Sequence, residues 1–272
     1  LGGPALQTGT AVAPASDPIR AAAMMLREDG IVAIKGIGGY HLACRADRAG
    51  VVRRLRQRKL RDGKPLAVMV PHLDAARRIC CLTPADQEAL QSVAAPIVLA
   101  AKAAGHGLSR WIAPGCRDFG VMLPYAPVHH LLFAEGLGPL VMTSANLAGQ
   151  PLTYCDEDAL ESLGDVADAF LVHNREIFRP IDDSVVFTFR DEVVPIRRAR
   201  GYAPRPIGLA GLDARGGSVG PTTVDQEVGS NTPAGTEPGR YAGGRHILAV
   251  GGELKSTVCL LHHGEAILSE HL

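Results

Sequence analysis

Short apolar runs alternate with amphipathic stretches from residue 17 to residue 209, and this alternation predicts an α/β fold. Ile31-Val32-Ala33-Ile34 is typical of a buried strand, and before it apolar residues recur at helical spacing behind Asp17-Pro18. The alternation ends in a predicted hairpin around Arg190-Asp191. We therefore expect a mixed, twisted open sheet with helices on its faces.

Composition divides the rest of the chain into less regular parts. Residues 1–16 are rich in Gly, Ala, Pro and Thr and are predicted to be a tail or linker. Residues 210–245 hold too little apolar surface to order themselves and are predicted to be a flexible linker. Strand-like runs return at 246–272 as the start of another domain. Because the chain begins with Leu1 and stops inside that pattern, we expect a fragment.

The charge balance and the cysteine spacing argue against several classes of function. Lys plus Arg equals Asp plus Glu at 28 each, so no global charge attracts the chain to nucleic acid or to an anionic membrane. The six cysteines form no CxxC pair, which argues against a zinc site, and we assign no residue to a metal. No signal peptide or long apolar run is present, and this favours the cytoplasm.

The strongest local charge lies at residues 53–64, where seven cations stand against the single acid Asp62. A solvated helix face accounts for Arg53, Arg54 and Arg56. The other candidates lie where the helix should end and a turn leads into a strand, a position typical of ligand sites in α/β sheets. They are Lys59, Arg61 and Lys64. A nucleic-acid patch is a third interpretation, which the neutral net charge and the 4% aromatic content disfavour.

A second polar segment, Thr143-Ser144-Ala145-Asn146, directly follows an apolar run. Ser144 and Asn146 could simply cap a turn. Beside a cationic turn, however, such neutral donors would hold phosphate oxygens, because a nucleotide triphosphate needs both fixed positive charge and neutral hydrogen-bond donors.

Three further motifs give weaker signals. The glycine-rich segment Lys35–Tyr40 lets backbone N–H groups approach a ligand, although its spacing is not that of a Walker loop. The carboxylates of Asp182-Asp183-Ser184 could hold Mg²⁺ or play a structural role. Arginines 197, 198 and 200 could complete an anion pocket. We expect His129-His130 to serve helical packing.

Taken together, these residues resemble known families. Lys59-Leu60-Arg61, Lys64-Pro65 and Ser144-Ala145-Asn146 resemble the Lys-x-Arg and Ser-x-Asn signatures of YrdC-like domains, which make acyl-adenylates from ATP. Residues 35–44, 122–132, 182–184 and 197–204 resemble the hydrogenase maturation carbamoyltransferases of the HypF family. Residues 249–257 resemble the opening phosphate loop of the Kae1-like domain of that family.

The resemblance implies a reaction and its partners. Residues 17–209 would be an adenylating domain that forms carbamoyl-adenylate from ATP, with Mg²⁺, and from carbamate derived from carbamoyl phosphate. The carbamoyl group would pass to the C-terminal cysteine of a HypE-like acceptor protein, on the route to the cyanide ligand of a nickel–iron site. No membrane partner is implied.

The resemblance also implies roles for single residues. Lys59 and Arg61 would act at the reacting phosphate and the carbamate. The nucleotide would be bound by Lys64, Ser144, Asn146, Ser184, Arg198 and Arg200. The small substrate would be bound by Lys35, Gly39, Tyr40 and His41.

Three alternatives remain open at this point. A close relative with the same Lys, Arg, Ser and Asn set makes threonylcarbamoyl-adenylate for t6A modification of tRNA, which requires a threonine pocket. Another similar layout carbamoylates an oxygen of a secondary metabolite. A non-enzymatic module that binds nucleic acid through residues 53–64 is the last.

Overall fold

The computed structural model describes residues 5–8, 11–12, 17–61, 63–147, 150–209, 247–250, 257–262 and 265–270. The chain divides into two compact units, Leu1–Tyr202 and Ala203–Leu272. The first unit contains all the candidate site residues. Asp62 and the predicted linker at 210–245 lie outside the described residues.

Six helices lie in the described part of the first unit, and the first of them starts with the predicted capping chemistry. Asp17 accepts a hydrogen bond from the Arg20 amide at 3.0 Å, and Pro18 occupies the first turn behind it. None of the helices in the described residues is long and apolar enough to cross a membrane. The helices are α1 (Pro18–Arg27), α2 (Ala49–Arg58), α3 (Leu73–Ile79), α4 (Pro84–Gln91), α5 (Pro127–Ala134) and α6 (Asp156–Leu163).

The described strands of the first unit form one twelve-stranded mixed sheet, which confirms the predicted fold class. Its strands are β1 (Ala5–Thr8), β2 (Ala11–Val12), β3 (Val32–Lys35), β4 (Tyr40–Arg45), β5 (Ala67–Met69), β6 (Cys80–Cys81), β7 (Ile97–Lys102), β8 (Asp118–Met122), β9 (Leu140–Ser144), β10 (Ala169–Val172), β11 (Val185–Phe189) and β12 (Glu192–Arg197). They run in the order β12-β11-β7-β8-β5-β9-β4-β3-β10-β1-β2, with β6 paired to β7.

Two local features can be compared with the sequence expectations. The predicted hairpin joins β11 to β12 through Arg190 and Asp191, whose φ angles of 51° and 62° suit a tight primed turn. The region predicted to be a tail differs, because β1 pairs antiparallel with β10. The edge of β10 offers unpaired backbone groups, and a short strand can use them despite its Gly- and Pro-rich surroundings.

The second unit contributes a four-stranded antiparallel sheet. Its strands are β13 (Ile207–Gly208), β14 (Ile247–Val250), β15 (Val258–His262) and β16 (Glu265–Leu268), in the order β13-β16-β15-β14. The last three correspond to the strand-like runs read after the linker. Because β13 pairs with β16, the second unit begins before residue 209, where the sequence placed the end of the first domain.

The large sheet carries an apolar layer on each face. One layer packs β-strand side chains such as Leu42 against Leu55 of α2, and the other packs Ala43 against Leu26 of α1 and Leu132 of α5. Alternate side chains of a strand point to opposite faces. Consecutive residues of β4 therefore serve different layers of the molecule.

Gly201 offers a test of how closely the segment after β12 packs. A Cβ added there would lie 2.6 Å from the Ala94 backbone, at φ +83°, whereas one added at Gly115, at φ +70°, meets nothing within 4 Å. We expect Gly115→Ala to lower the free energy of unfolding by about 1 kcal/mol, from backbone strain alone. Gly201→Ala should cost about 3 kcal/mol, because backbone must also move. Urea unfolding followed by Trp111 fluorescence measures both, and equal losses would contradict the close packing.

Candidate functional site

Lys59 joins the two segments that the sequence singled out. It directly follows α2 and is only 2% exposed. Its ammonium group donates to the Ser144 carbonyl oxygen and, at 3.3 Å, to Oδ1 of Asn146. The Ser144 hydroxyl donates to the same Oδ1 at 2.8 Å, and the Asn146 amide donates to the Gln150 carbonyl at 2.7 Å. The cationic turn and the hydroxyl–amide segment therefore meet at one place.

Secondary structure explains why they meet. Strand β9 ends at Ser144, so the residues after it leave the sheet at its edge. The Ala145 amide donates to the Tyr40 carbonyl at 2.8 Å, which keeps this exit next to the start of β4. Helix α2 packs on β4 through Leu55, and Lys59, which directly follows α2, contacts Ser144.

Arg56 builds the turn that carries Arg61. Its guanidinium is 7% exposed and donates to three backbone carbonyls: Trp111 at 2.7 Å, Arg61 at 2.9 Å and Lys64 at 2.9 Å. The sequence interpretation of Arg56 as part of a solvated helix face was wrong. The carbonyls of an irregular turn need donors, and a planar guanidinium supplies several at once. Arg53 is exposed, as expected.

Arg61 lies in an excess of positive charge. Burial lowers the pKa of its guanidinium, and repulsion from Arg56 and Arg197 lowers it further. One terminal nitrogen donates to the Pro65 carbonyl at 2.9 Å, but Nε is buried with no hydrogen-bond partner among the described residues. A bound anion would satisfy this nitrogen and relieve the repulsion. Lys64 is exposed at the rim of the same turn.

Other members of the basic run are neutralised by acids. Arg58 donates to Asp168 at 2.7 Å and to the Val166 carbonyl at 3.1 Å, and Arg54 lies 3.9 Å from the same Asp168 carboxylate. These pairs remove charge that a nucleic-acid surface would need free. Among the described residues, no ion pair of this kind is seen for Arg61.

The glycine-rich segment between β3 and β4 packs too tightly for side chains. A Cβ on Gly39 would lie 2.5 Å from Leu152, and one on Gly38 would lie 2.6 Å from the Ile181 carbonyl oxygen. The Gly36 amide closes the turn by donating to the Gly39 carbonyl at 2.9 Å. We call residues 36–39 the glycine loop. Its close approach to two other loops explains the glycines.

The four residues predicted to bind the small substrate are not together. Lys35 and Tyr40 both reach Asp156 at the start of α6, at 2.7 Å and 2.6 Å, and both are buried. Burial, and then the hydrogen bond to Asp156, raise the pKa of the Tyr40 hydroxyl. His41 points to the opposite face of the sheet, and Gly39 lies in the loop above. Nothing in the sequence indicated Asp156, since acidic residues are common in the first turn of a helix.

His41 instead joins a buried ionic network. Its Nε2 lies 2.9 Å from Oδ2 of Asp183, and Oδ1 of Asp183 accepts from Nε of Arg200 at 3.0 Å. Burial alone would raise the pKa of the Asp183 carboxyl. The hydrogen bond and charge of His41 and the charge of Arg200 outweigh it and hold this pKa well below its ordinary range.

The residues after β12 divide between the fold and the site. Arg200 donates to the Ala94 and Ala95 carbonyls at 3.1 and 2.8 Å and lies 3.5 Å from the ring centroid of Tyr125. The buried Ser184 hydroxyl donates to the Arg200 carbonyl at 2.9 Å and accepts from the Ala199 amide at 2.8 Å. These bonds anchor the segment.

The other two arginines of this segment, Arg197 and Arg198, are candidates for binding an anion. Burial lowers the pKa of Arg198. Arg197 is close enough to Arg61 to lower its pKa, a proximity that no spacing in the sequence revealed. Arg197, which the sequence also named, is therefore a candidate for holding an anion beside Arg61, and its guanidinium lies 3.8 Å from Oδ1 of Asp182.

The fold and this site define a class: an α/β domain in which a buried lysine at a helix end contacts a serine and an asparagine at a strand end. The family described as telomere recombination, Sua5/YciO/YrdC, matches residues 24–199. The chain belongs to this family.

Individual relatives narrow the comparison. The carbamoyltransferase HypF of Rhodobacter capsulatus is 42% identical over 267 residues, which is 98% of this chain and 32% of that protein. A crystal structure of full-length HypF in a phosphate- and nucleotide-bound form is 40% identical, with a TM-score of 0.80 over 99% of this chain and 32% of that one. The predicted resemblance to HypF is confirmed, and the chain spans about a third of these relatives' length.

A more distant structure shows the fold alone. Sua5 of P. abyssi, solved in complex with L-threonine, is 21% identical, with a TM-score of 0.60 over 67% of this chain and 54% of that one.

His129 supplies a pH test of the buried cluster. It is fully buried against Tyr125, near His41, Asp183 and Arg200, and burial lowers its pKa to about 3. The unfolded chain takes up a proton below about pH 6.5 while the folded chain does not, so stability is present above that pH and falls as pH drops toward 3.

We expect His129→Leu to flatten this fall by up to about 1.4 kcal/mol per pH unit between pH 6 and 4.5. His130→Leu is the matched control, because the neighbouring His130 is exposed. Its pH dependence should follow the wild type. Urea unfolding at a series of pH values measures both, and identical slopes in all three proteins would contradict the account.

Proposed function

We propose that this chain forms carbamoyl-adenylate from carbamate and ATP, as the adenylating part of a HypF-type carbamoyltransferase. The observation that carries the proposal is the contact of the buried Lys59 ammonium group with Ser144 and Asn146, next to the turn in which repulsion from Arg56 and Arg197 lowers the pKa of Arg61. Triphosphates need this combination. The nucleotide- and phosphate-bound state of a 40% identical HypF supports it.

The proposed chemistry suits such a site. A carbamate oxygen attacks the α-phosphorus of ATP, the bond from that phosphorus to the bridging oxygen breaks, and pyrophosphate leaves with the electron pair. Carbamate is already an anion, so no base is needed. Catalysis then depends on bringing two anions together and neutralising their charge. Lys59 and Arg61 would do this, and Arg197 would add to the field.

ATP would enter as its Mg²⁺ complex. Among the residues that the structure describes, no group of three or more His, Cys, Asp or Glu side chains could hold a metal ion by itself. Mg²⁺ commonly binds through substrate phosphates and keeps several waters. The Ser144 hydroxyl and the Asn146 side-chain N–H would donate to the phosphates, and their oxygens would accept from those waters.

The remaining candidates take outer roles in this proposal. Lys64 and Arg198 would meet the nucleotide from the rim, and Arg200 and Ser184 would hold the arginine-bearing segment in place. The small-substrate side would be shaped by Lys35, Gly39, Tyr40 and His41. These residues would support that side of the site and would not bind the substrate directly.

The wider pathway belongs to the proposal as well. Carbamate would come from carbamoyl phosphate, and the carbamoyl group would pass to the C-terminal cysteine of a HypE-like protein in the cytoplasm. Threonylcarbamoyl-adenylate synthesis is the weaker candidate, because its support here is a shared fold at 21% identity.

ATP–pyrophosphate exchange tests the reaction. With MgATP, bicarbonate and ammonia as a source of carbamate, we expect exchange without L-threonine, because carbamate alone is the nucleophile. Exchange that requires L-threonine and bicarbonate would move the chain to the tRNA-modification reaction. Silence in both mixtures would contradict an adenylating role.

Substitution of Lys59 tests the carrying observation. We expect Lys59→Met to lower the exchange rate about a hundredfold, because an ammonium group that neutralises phosphate charge in a dry site is worth a few kcal/mol. Arg53→Ala is the matched control: it removes one positive charge from the same helix at an exposed position. It should retain exchange within about twofold. Equal losses in both variants would indicate a general charge effect instead.

A further inference from the structure

One buried carboxylate connects three segments that surround the small-substrate side. Asp183 lies 2.9 Å from His41 Nε2 through one oxygen. Its other oxygen accepts from Arg200 Nε at 3.0 Å and forms an ion pair with Nη2 at 2.9 Å. The side chains of all three residues are about nine-tenths buried. This arrangement depends on the Asp183 carboxylate. Without it, the buried donors of His41 and Arg200 would lose their shared acceptor, which is costly.

The network lies directly beneath the glycine loop. Asp183 is ionised and can only accept, so the proton between the two groups belongs to His41 Nε2. The other ring nitrogen of His41 faces the loop, since a Cβ built on Gly36 would lie 3.3 Å from Nδ1. The imidazole therefore supports the glycine loop from below.

Backbone hydrogen bonds extend this support. The Ile181 amide donates to the Gly38 carbonyl at 2.8 Å, and the Arg200 amide donates to the Asp182 carbonyl at 3.1 Å. Residues 181–183 thus bind the glycine loop on one side and the segment that bears Arg197 on the other. On the nucleotide side, the described side-chain contacts of Lys59 with Ser144 and Asn146 involve neither His41 nor Asp183.

We propose that Asp183 and His41 are positioning residues for the carbamate. They fix the glycine loop and the arginine-bearing segment relative to Lys59, and they act without touching the nucleotide. This inference rests on the proposed function and deepens it, because it assigns the positioning of the small substrate to the network of Asp183, His41 and Arg200. Loss of the network should impair the reaction of carbamate much more than the affinity for ATP, because the Lys59 contacts with Ser144 and Asn146 remain.

Three variants of the full chain test this. Asp183→Asn and His41→Gln break the network, and Asp86→Asn is a matched control. Asp86 is also buried and accepts two bonds, from the Thr83 amide at 2.9 Å and the Thr188 hydroxyl at 2.7 Å, but these join α4 to β11 away from the site.

We expect Asp183→Asn and His41→Gln to bind MgATP with a dissociation constant within about threefold of the wild type. At saturating ATP their pyrophosphate exchange with ammonia and bicarbonate should fall about tenfold or more, with a raised KM for carbamate, because small displacements of a positioned nucleophile are costly. Asp86→Asn should change neither quantity. Parallel loss of ATP binding and exchange, or no loss of either, would overturn the proposal.

Hydrogen exchange of backbone amides provides a readout that does not depend on activity. In Asp183→Asn and His41→Gln the amides of Gly36, Ile181 and Arg200 should exchange faster, whereas Asp86→Asn should leave them unchanged. If the wild type binds no nucleotide, the proposed function fails, and this measurement still decides the positioning role. Unchanged protection of these amides in both network variants would overturn it.

Discussion

The buried ammonium group of Lys59 is the interaction on which the candidate site depends. It is held at the end of α2 and binds the carbonyl of Ser144 and the amide oxygen of Asn146, so it ties a helix on one face of the sheet to the exit of a central strand. Burial of a charge is costly unless hydrogen bonds compensate it. The acceptors described for Lys59 include the neutral oxygens of Ser144 and Asn146. These contacts fix the ammonium group at the end of the strand, next to the turn that carries Arg61.

The arginines around Lys59 follow a similar logic. Arg56 donates to backbone carbonyls and shapes the turn. Arg61 donates to the Pro65 carbonyl, and repulsion from Arg56 and Arg197 lowers its pKa. Repulsion between neighbouring like charges destabilises the fold, and sites that bind anions commonly contain such destabilising charges. By contrast, Arg58 is paired with Asp168 and contributes to the fold alone. The distinction between these arginines is a matter of partners, not of position in the basic run.

The sheet and the meeting of Lys59 with Ser144 and Asn146 could be predicted, because strand ends, helix ends and turn residues leave local signals. The burial of Arg56 could not, since one of its acceptors, the Trp111 carbonyl, comes from a segment distant in sequence and the other two belong to an irregular turn. The same holds for Asp156, which binds Lys35 and Tyr40, and for the pairing of His41 with Asp183 across more than a hundred residues. Hydrophobic periodicity predicts the face of a helix or sheet on which a side chain lies. It does not predict which charged residue of another segment will contact that side chain.

The most direct test of the account is to locate the nucleotide on the molecule. Titration of the isotopically labelled chain with MgATP, followed by amide chemical shifts, would do so. The account predicts saturable shifts concentrated at residues 59–61, 144–146 and 197–198, with small changes in the second unit. Shifts centred elsewhere, for example on the cleft lined by Cys81 and Arg117, or the absence of any saturable shift, would contradict the claim that the charge around Lys59 and Arg61 is a nucleotide site.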